Sequence, residues 1–214
     1  MQKALLELHY WPCVQYFSKL LKYPVVVIEQ WENYQKGSYR NRCMLAAANG
    51  PLRLSIPLNQ GKNQQQSIRE VRINYRENWL EQHWRSIQSA YGKSPFFEHY
   101  ADELRPLYTQ KPQFLFDWNQ QLLEIAIELL DLPVQLDWSS SYHKEKELPE
   151  DCRDLRNRIS SKEHLAAEDP HFKAYPYSQA FAEKSGFLAN LSILDLLFCT
   201  GPQAIQILEA STVD

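Results

Sequence analysis

The sequence predicts an α/β chain: a βαβ start with a mixed sheet and a hairpin, then a helical middle and a helical C-terminal part. Three observations carry this expectation. The 214 residues are 44% apolar and 23% charged, enough for one sizeable core in a single domain over 1–214. The opening of the chain passes from a strand-like run to an amphipathic helix and on to a β-branched run. Segments rich in Trp, Phe and Leu at helical spacing then occupy the middle and the end.

The elements follow in order. Residues 4–9 read as a strand, and 14–22 as a helix with Val14, Phe17, Leu20 and Leu21 on one face. Tyr23-Pro24 ends that helix, because the residue before proline is pushed out of the helical region. Residues 25–29 form a β-branched run of the kind buried on both faces of a parallel sheet. Residues 42–48 and 52–58 flank Asn49-Gly50-Pro51 as a hairpin, 61–67 are a polar loop, and 68–74 are a further strand. Residues 77–91 form a helix with Trp79, Leu80, His83, Trp84, Ile87 and Tyr91 on one stripe. Ser94-Pro95 restarts a helix as N-cap and first residue, and Asp117 with Gln120 resembles a capping box ahead of helical 122–130. Residues 134–138 return as a strand. Residues 139–150 read as a polar linker or mobile loop, and 151–169 fit either a short helix or a loop. Asn190 caps a helix over 191–199, stopped by Gly201-Pro202, and 203–209 form the last helix.

Composition excludes several classes of function. The 6 glycines are never paired closely enough for a Walker phosphate loop or a G-x-G-x-x-G turn. The residues identify no cofactor. No C-x-x-C, H-E-x-x-H or G-x-S-x-G occurs, so no metal site or nucleophile elbow is expected. No apolar run is long enough for a membrane span. The N-terminus does not read as a signal peptide. The 4 well-separated cysteines fit a reducing compartment, taken as the cytoplasm, although an even count also permits two disulfides. Net charge is −3, split into +5 over 1–110 and −8 over 111–214. Basic residues concentrate between Lys36 and Arg76, where Glu70 is the one acid. Such a surplus can attract an anion, or it can be a solvated sheet edge. The overall charge argues against nucleic acid as partner.

The segment from Asn33 to Arg42 leaves the second strand at its carboxyl end, where open α/β sheets bind ligands. With Arg40 and Arg42 in one strand, their guanidinium groups share a face, and Lys36 lies nearby. They are expected to hold an anionic small molecule, phosphorylated or nucleotide-linked, with Asn33, Tyr34 and Asn41 orienting it. Alternatively, these arginines pair with Glu29 and Glu32 in a structural network. His9, with Tyr10 and Pro12 after the first strand, is placed to serve as a general base or proton donor. His83 lines a pocket or belongs to the core. Asp195 sits in an apolar run and needs a partner, either as a site carboxylate or in an ion pair with Arg40 or Arg42.

These residues resemble the WbqC-like protein family over nearly the whole chain. The resemblance rests on Tyr10-Trp11-Pro12 with Tyr16-Phe17, on Tyr39-Arg40-Asn41-Arg42, on Trp79 with His83-Trp84, and on Ser94-Pro95-Phe96-Phe97. It continues in the block from Gly186 to Phe198 with Gly201-Pro202. The chain departs from the common pattern at Glu7-Leu8-His9 and at Glu29-Gln30, where family members carry a glutamine and paired aspartates. The resemblance implies a bacterial protein of O-antigen or other surface polysaccharide biosynthesis, and transfer of an amino acid such as glycine, or another acyl group, onto a sugar. The alternative is a non-catalytic binding or scaffolding protein of the same pathway, its aromatics serving partner surfaces.

Overall fold

A computed structural model describes residues 2–59, 66–161 and 168–213. The βαβ start consists of β1 (Lys3–Glu7), α1 (Val14–Lys22) and β2 (Val25–Glu29). The two strands are parallel and in register from Lys3 opposite Val25 to Glu7 opposite Glu29. The alternation of the pleat buries Ala4, Leu6, Val26 and Ile28 fully on one face. Two short strands complete the sheet: β5 (Gln135–Trp138) beside β2 and β6 (Cys152–Asp154) beside β1, both parallel, in the order β5-β2-β1-β6. The hairpin of β3 (Arg42–Ala47) and β4 (Gly50–Ser55) is a separate antiparallel sheet that turns at Ala48-Asn49, one pair earlier than the expected Asn49-Gly50-Pro51, with Gly50 entering β4 at φ +102°. The helices are α2 (Trp79–Tyr91), α3 (Phe97–Leu104), α4 (Leu115–Leu129), α5 (Ala182–Ser185), α6 (Ile193–Thr200) and α7 (Ala204–Ser211). Every residue of α6 is buried, as its apolar circumference requires. No helix among the described residues is long and apolar enough to cross a membrane. All four cysteines are free.

The α/β expectation with its βαβ start, hairpin and helical remainder holds, with corrections in detail. The four-stranded sheet is wholly parallel, and the hairpin stands apart from it. Residues 68–74 are no strand. A 3-10 turn, Ile68–Glu70, is followed by isolated bridges from Arg72 to Phe114 and from Ile73 to Leu58. Residues 61–65 of the expected polar loop lie outside the described residues. Strand β6 has three residues, too few to show a period, which is why it was not expected within 151–169. Helix α4 starts at Leu115, so Asp117 sits in its first turn rather than at its cap. Helix α3 begins after Phe96, with Ser94-Pro95 in the preceding turn.

Asn190 does not cap the helix that follows it; Ser192 does, its Oγ accepting from Leu194 N. Asn190, at φ +57°, instead caps α1. Its Oδ1 accepts from Gln15 N at 2.9 Å, and the next residue's carbonyl accepts from Val14 N at 3.0 Å. The first amides of α1 need such partners, because Cys13 supplies none from its side chain.

Candidate functional site

Two carboxylates end neighbouring strands. Glu7 closes β1, Glu29 closes β2, and they are direct register partners with 1% exposure each. Unpaired charges at such depth are costly, so the surrounding loops must answer them. Arg40 answers from a 3-10 turn, Tyr39–Asn41, whose start is fixed by Ser38 Oγ accepting from the Arg40 amide. Its Nε donates to Glu32 Oε1 at 2.7 Å, its Nη2 to Glu32 Oε2, and its Nη1 lies 3.7 Å from Glu7. Arg156 answers on the other side. Its Nη1 donates to Glu29 Oε2 at 2.8 Å, and its Nε and Nη2 hold Asp154. Asn157 ties the two halves together. Its amide donates to Glu7 and its Oδ1 accepts from Arg40 Nη2 at 2.9 Å. To do both it adopts φ +60°, a left-handed conformation that asparagine tolerates.

Four carboxylates thus share two guanidinium groups at the carboxyl edge of the sheet. The excess negative charge shows in the acidities. Burial would raise the Glu7 carboxyl, but Arg40 and His9 hold it down to about 2. Burial pushes Glu32 up to about 7 despite Arg40, helped by repulsion from Glu7 and Glu29. The two carboxylates draw on one guanidinium, so a proton enters on Glu32 near neutrality. His9 completes the cluster: Nε2 lies 3.1 Å from Glu7 Oε1, and the ring packs against Tyr16 and Tyr39. Its Nδ1 is buried without a hydrogen-bond partner among the described residues. Glu29 also faces a recess of about 320 Å³ between the sheet and the segment after β5, lined by Leu5, Val27, Asp137, Ser139 and His143. Among the described residues no group of acidic, His or Cys side chains is placed to hold a metal ion.

The other expected site residues are dispersed. Arg40 is 1% exposed and bound to carboxylates, and it does not share a strand face with Arg42, because the strand begins only at Arg42. Arg42 is half-buried at the start of β3, and its Nε has no partner among the described residues. Burial, with repulsion from Arg53, lowers its pKa. Lys36 and Asn33 are exposed, Tyr34 is buried, and Asn41 Nδ2 donates to Ile56 O at 2.9 Å. Tyr10 and His83 are committed to each other, with Oη 2.8 Å from Nδ1, and burial drops His83 to about 4, leaving it neutral. Asp195 is fully buried but meets neither arginine. Its Oδ2 accepts from Tyr177 Oη at 2.7 Å and Gln179 Nε2 at 2.8 Å, and burial raises its pKa. His9 and Asp195 therefore belong to separate networks. Sequence reasoning missed Glu7, Asp154, Arg156 and Asn157. The one available signal was the concentration of charge in 151–158, which resembles any solvated loop.

The model of the WbqC-like protein family matches residues 8–169. The uncharacterized protein Rv1507c of Mycobacterium tuberculosis is 25% identical over 221 residues, covering 94% of each chain. No solved structure matches. A family match that spans strands β2–β6, helices α1–α4 and every member of the charged cluster but Glu7 leaves one conclusion: the chain belongs to the WbqC-like protein family.

Proposed function

We propose that this chain is an enzyme of bacterial surface polysaccharide biosynthesis that transfers an aminoacyl or other acyl group onto a sugar. The buried cluster at the sheet edge would manage the proton. The observation that carries the reading is charge balance. Four carboxylates against two guanidinium groups, in a nearly dry site, leave Glu32 titrating near 7. A group of that acidity can take the proton of an attacking sugar hydroxyl and return it to the leaving group. The sugar oxygen bonds to the acyl carbon, and the donor bond breaks with its electron pair going to the donor. His9, in contact with Glu7, is the second proton carrier; Asp195, enclosed by Tyr177 and Gln179, is structural. Arg40 sets the charge of the carboxylates and does not grip the substrate. Positive charge for an anionic donor falls to Lys36 and Arg42, which have no carboxylate partner among the described residues.

The test is turnover of acyl and aminoacyl donors with sugar-nucleotide acceptors by wild type, Glu32→Gln and His9→Gln, each checked for native folding by near-UV circular dichroism. Removal of a positioned proton carrier is expected to slow turnover by about 10²–10⁴-fold. Undiminished turnover in a folded Glu32→Gln variant would exclude the assigned role.

A further inference from the structure

The basic stretch between Lys36 and Arg76 resolves into one arginine bound to carboxylates and several with no carboxylate partner among the described residues. Arg40 is paired, but no carboxylate pairs with Arg42, Arg53, Arg72 or Arg76 among the described residues. In a chain with 26 acidic residues against 23 basic ones, that is not for want of partners. Two of these arginines border a recess of about 640 Å³ lined by Leu58, Asn59, Gln66, Arg72, Asn74 and Arg76. Among the described residues its walls carry cationic and amide groups and one leucine, and no carboxylate. Three contacts build it. Asn59 N donates to Arg72 O at 2.9 Å, and Asn74 N donates to Pro57 O at 2.8 Å, joining the two sides. The Arg72 guanidinium lies over the Phe114 ring at 4.7 Å, which braces it while leaving its N–H edge for a ligand. Asn74 Oδ1 accepts from Arg76 N at 2.8 Å, so the remaining amide group of Asn74 is a donor.

Two guanidinium groups with amide donors beside them suit a diphosphate, whose oxygens accept only. We infer that this recess binds the diphosphate group of a substrate or product, with Arg72 and Arg76 as the charged clamp and Asn59 and Asn74 as neutral donors. The volume lies within the range of small-molecule pockets, about 300–1,000 Å³. The recess also adjoins the charged cluster. Gln66 O accepts from Tyr34 N at 2.8 Å, and Ile68 N donates to Glu32 O at 3.0 Å, so one short pairing separates the recess from Glu32. The inference rests on the proposed function only in taking the diphosphate to be part of the substrate of that reaction. A small recess favours this over nucleic acid, as does the net charge of −3.

Isothermal titration with inorganic pyrophosphate, with uridine diphosphate and with a prenyl diphosphate in detergent tests it. Pyrophosphate and at least one of the two carriers should bind wild type, and the tighter carrier identifies the source of the group. The double variant Arg72→Gln/Arg76→Gln should bind at least about tenfold more weakly, as expected for lost bonds to a charged ligand. Arg72→Lys/Arg76→Lys should recover part of the affinity, while Arg85→Gln on α2 should leave it unchanged. Glu32→Gln should still bind pyrophosphate, since the clamp does not include it. Absence of pyrophosphate binding in wild type, equal binding by the double glutamine variant, or a preference for single-stranded DNA with steep salt dependence would each overturn the inference. Pyrophosphate binding with an ordinary Glu32 acidity would leave the recess standing and remove the proton-transfer reading instead.

Discussion

At the scale of single residues, the decisive fact is that Arg40 is spent on carboxylates. An arginine and a glutamate eight positions apart, between two strands, read equally well as half of an anion site or as a buried ion pair. What settled it lies far off in sequence, because Glu7, Asn157 and Arg156 come together only through the pairing of β1 with β6. The sequence placed His9 near the segment from Lys36 to Arg42, and Glu7 does contact both His9 and Arg40, but the anion expected at Arg40 is the protein's own Glu32 rather than a bound small molecule. Arg40→Ala should destabilise the fold by about 3–5 kcal/mol, because it strands Glu32 and Glu7 as buried charges. Urea unfolding measures this, and a loss under about 1 kcal/mol would show the ion pairs to be solvated. Arg40→Lys should recover only part of the loss, since an ammonium cannot make the fork that spans both Glu32 oxygens.

At the scale of elements, the strands and helices with strong periods were legible: β2, α1, α2 and the α6 block sit where apolar spacing put them. Short elements and exchanged caps were not. Asn190 illustrates why. Its type announces a cap, but the helix it serves lies 175 residues away in the chain. Asn190→Ala should cost about 1–2 kcal/mol, combining the lost cap of α1 with a left-handed backbone that alanine resists. Asn190→Gly, which relieves the backbone but not the cap, should cost less, and thermal unfolding of the pair separates the two contributions. Equal losses would mean that the conformation at Asn190 carries no strain. Gly201 marks a second tight junction. At φ +53°, a Cβ there would lie 2.4 Å from the Phe96 ring, so Gly201→Ala should loosen the packing of α3 against α6 and cost about 1–3 kcal/mol by denaturant unfolding.

At the scale of the whole molecule, the charge cluster couples stability to pH in two opposed windows. From about 2 up to the ordinary glutamate value near 4.3, the unfolded chain binds a proton that folded Glu7 does not, so stability falls as the pH drops. From about 4.3 to about 7 the folded chain keeps a proton on Glu32 that the unfolded chain releases, so stability falls as the pH rises. The second window is worth on the order of 3 kcal/mol. Buried His83, held near 4, contributes with the opposite sign up to about pH 6.5, so the Glu32 share is read as a difference: between about pH 5 and pH 7 the melting temperature of wild type should fall relative to that of Glu32→Gln. A difference between the two proteins that stays constant through this window would contradict the assignment. The opposed charges of the two halves acquire a physical sense on this scale. The C-terminal half contributes Asp154 and Arg156 to the sheet edge, while Arg72 and Arg76 of the N-terminal half border the recess with no carboxylate partner among the described residues.

The most direct measurement is the titration of Glu32 itself, followed by carboxyl carbon chemical shifts in selectively labelled protein and assigned by comparison with Glu32→Gln. A midpoint near 7, linked to a much lower one for Glu7, is the predicted result. A Glu32 midpoint at the ordinary glutamate value of about 4.3 would mean that the cluster holds no titrating proton at neutral pH, and the proposed chemistry would lose its acid and base.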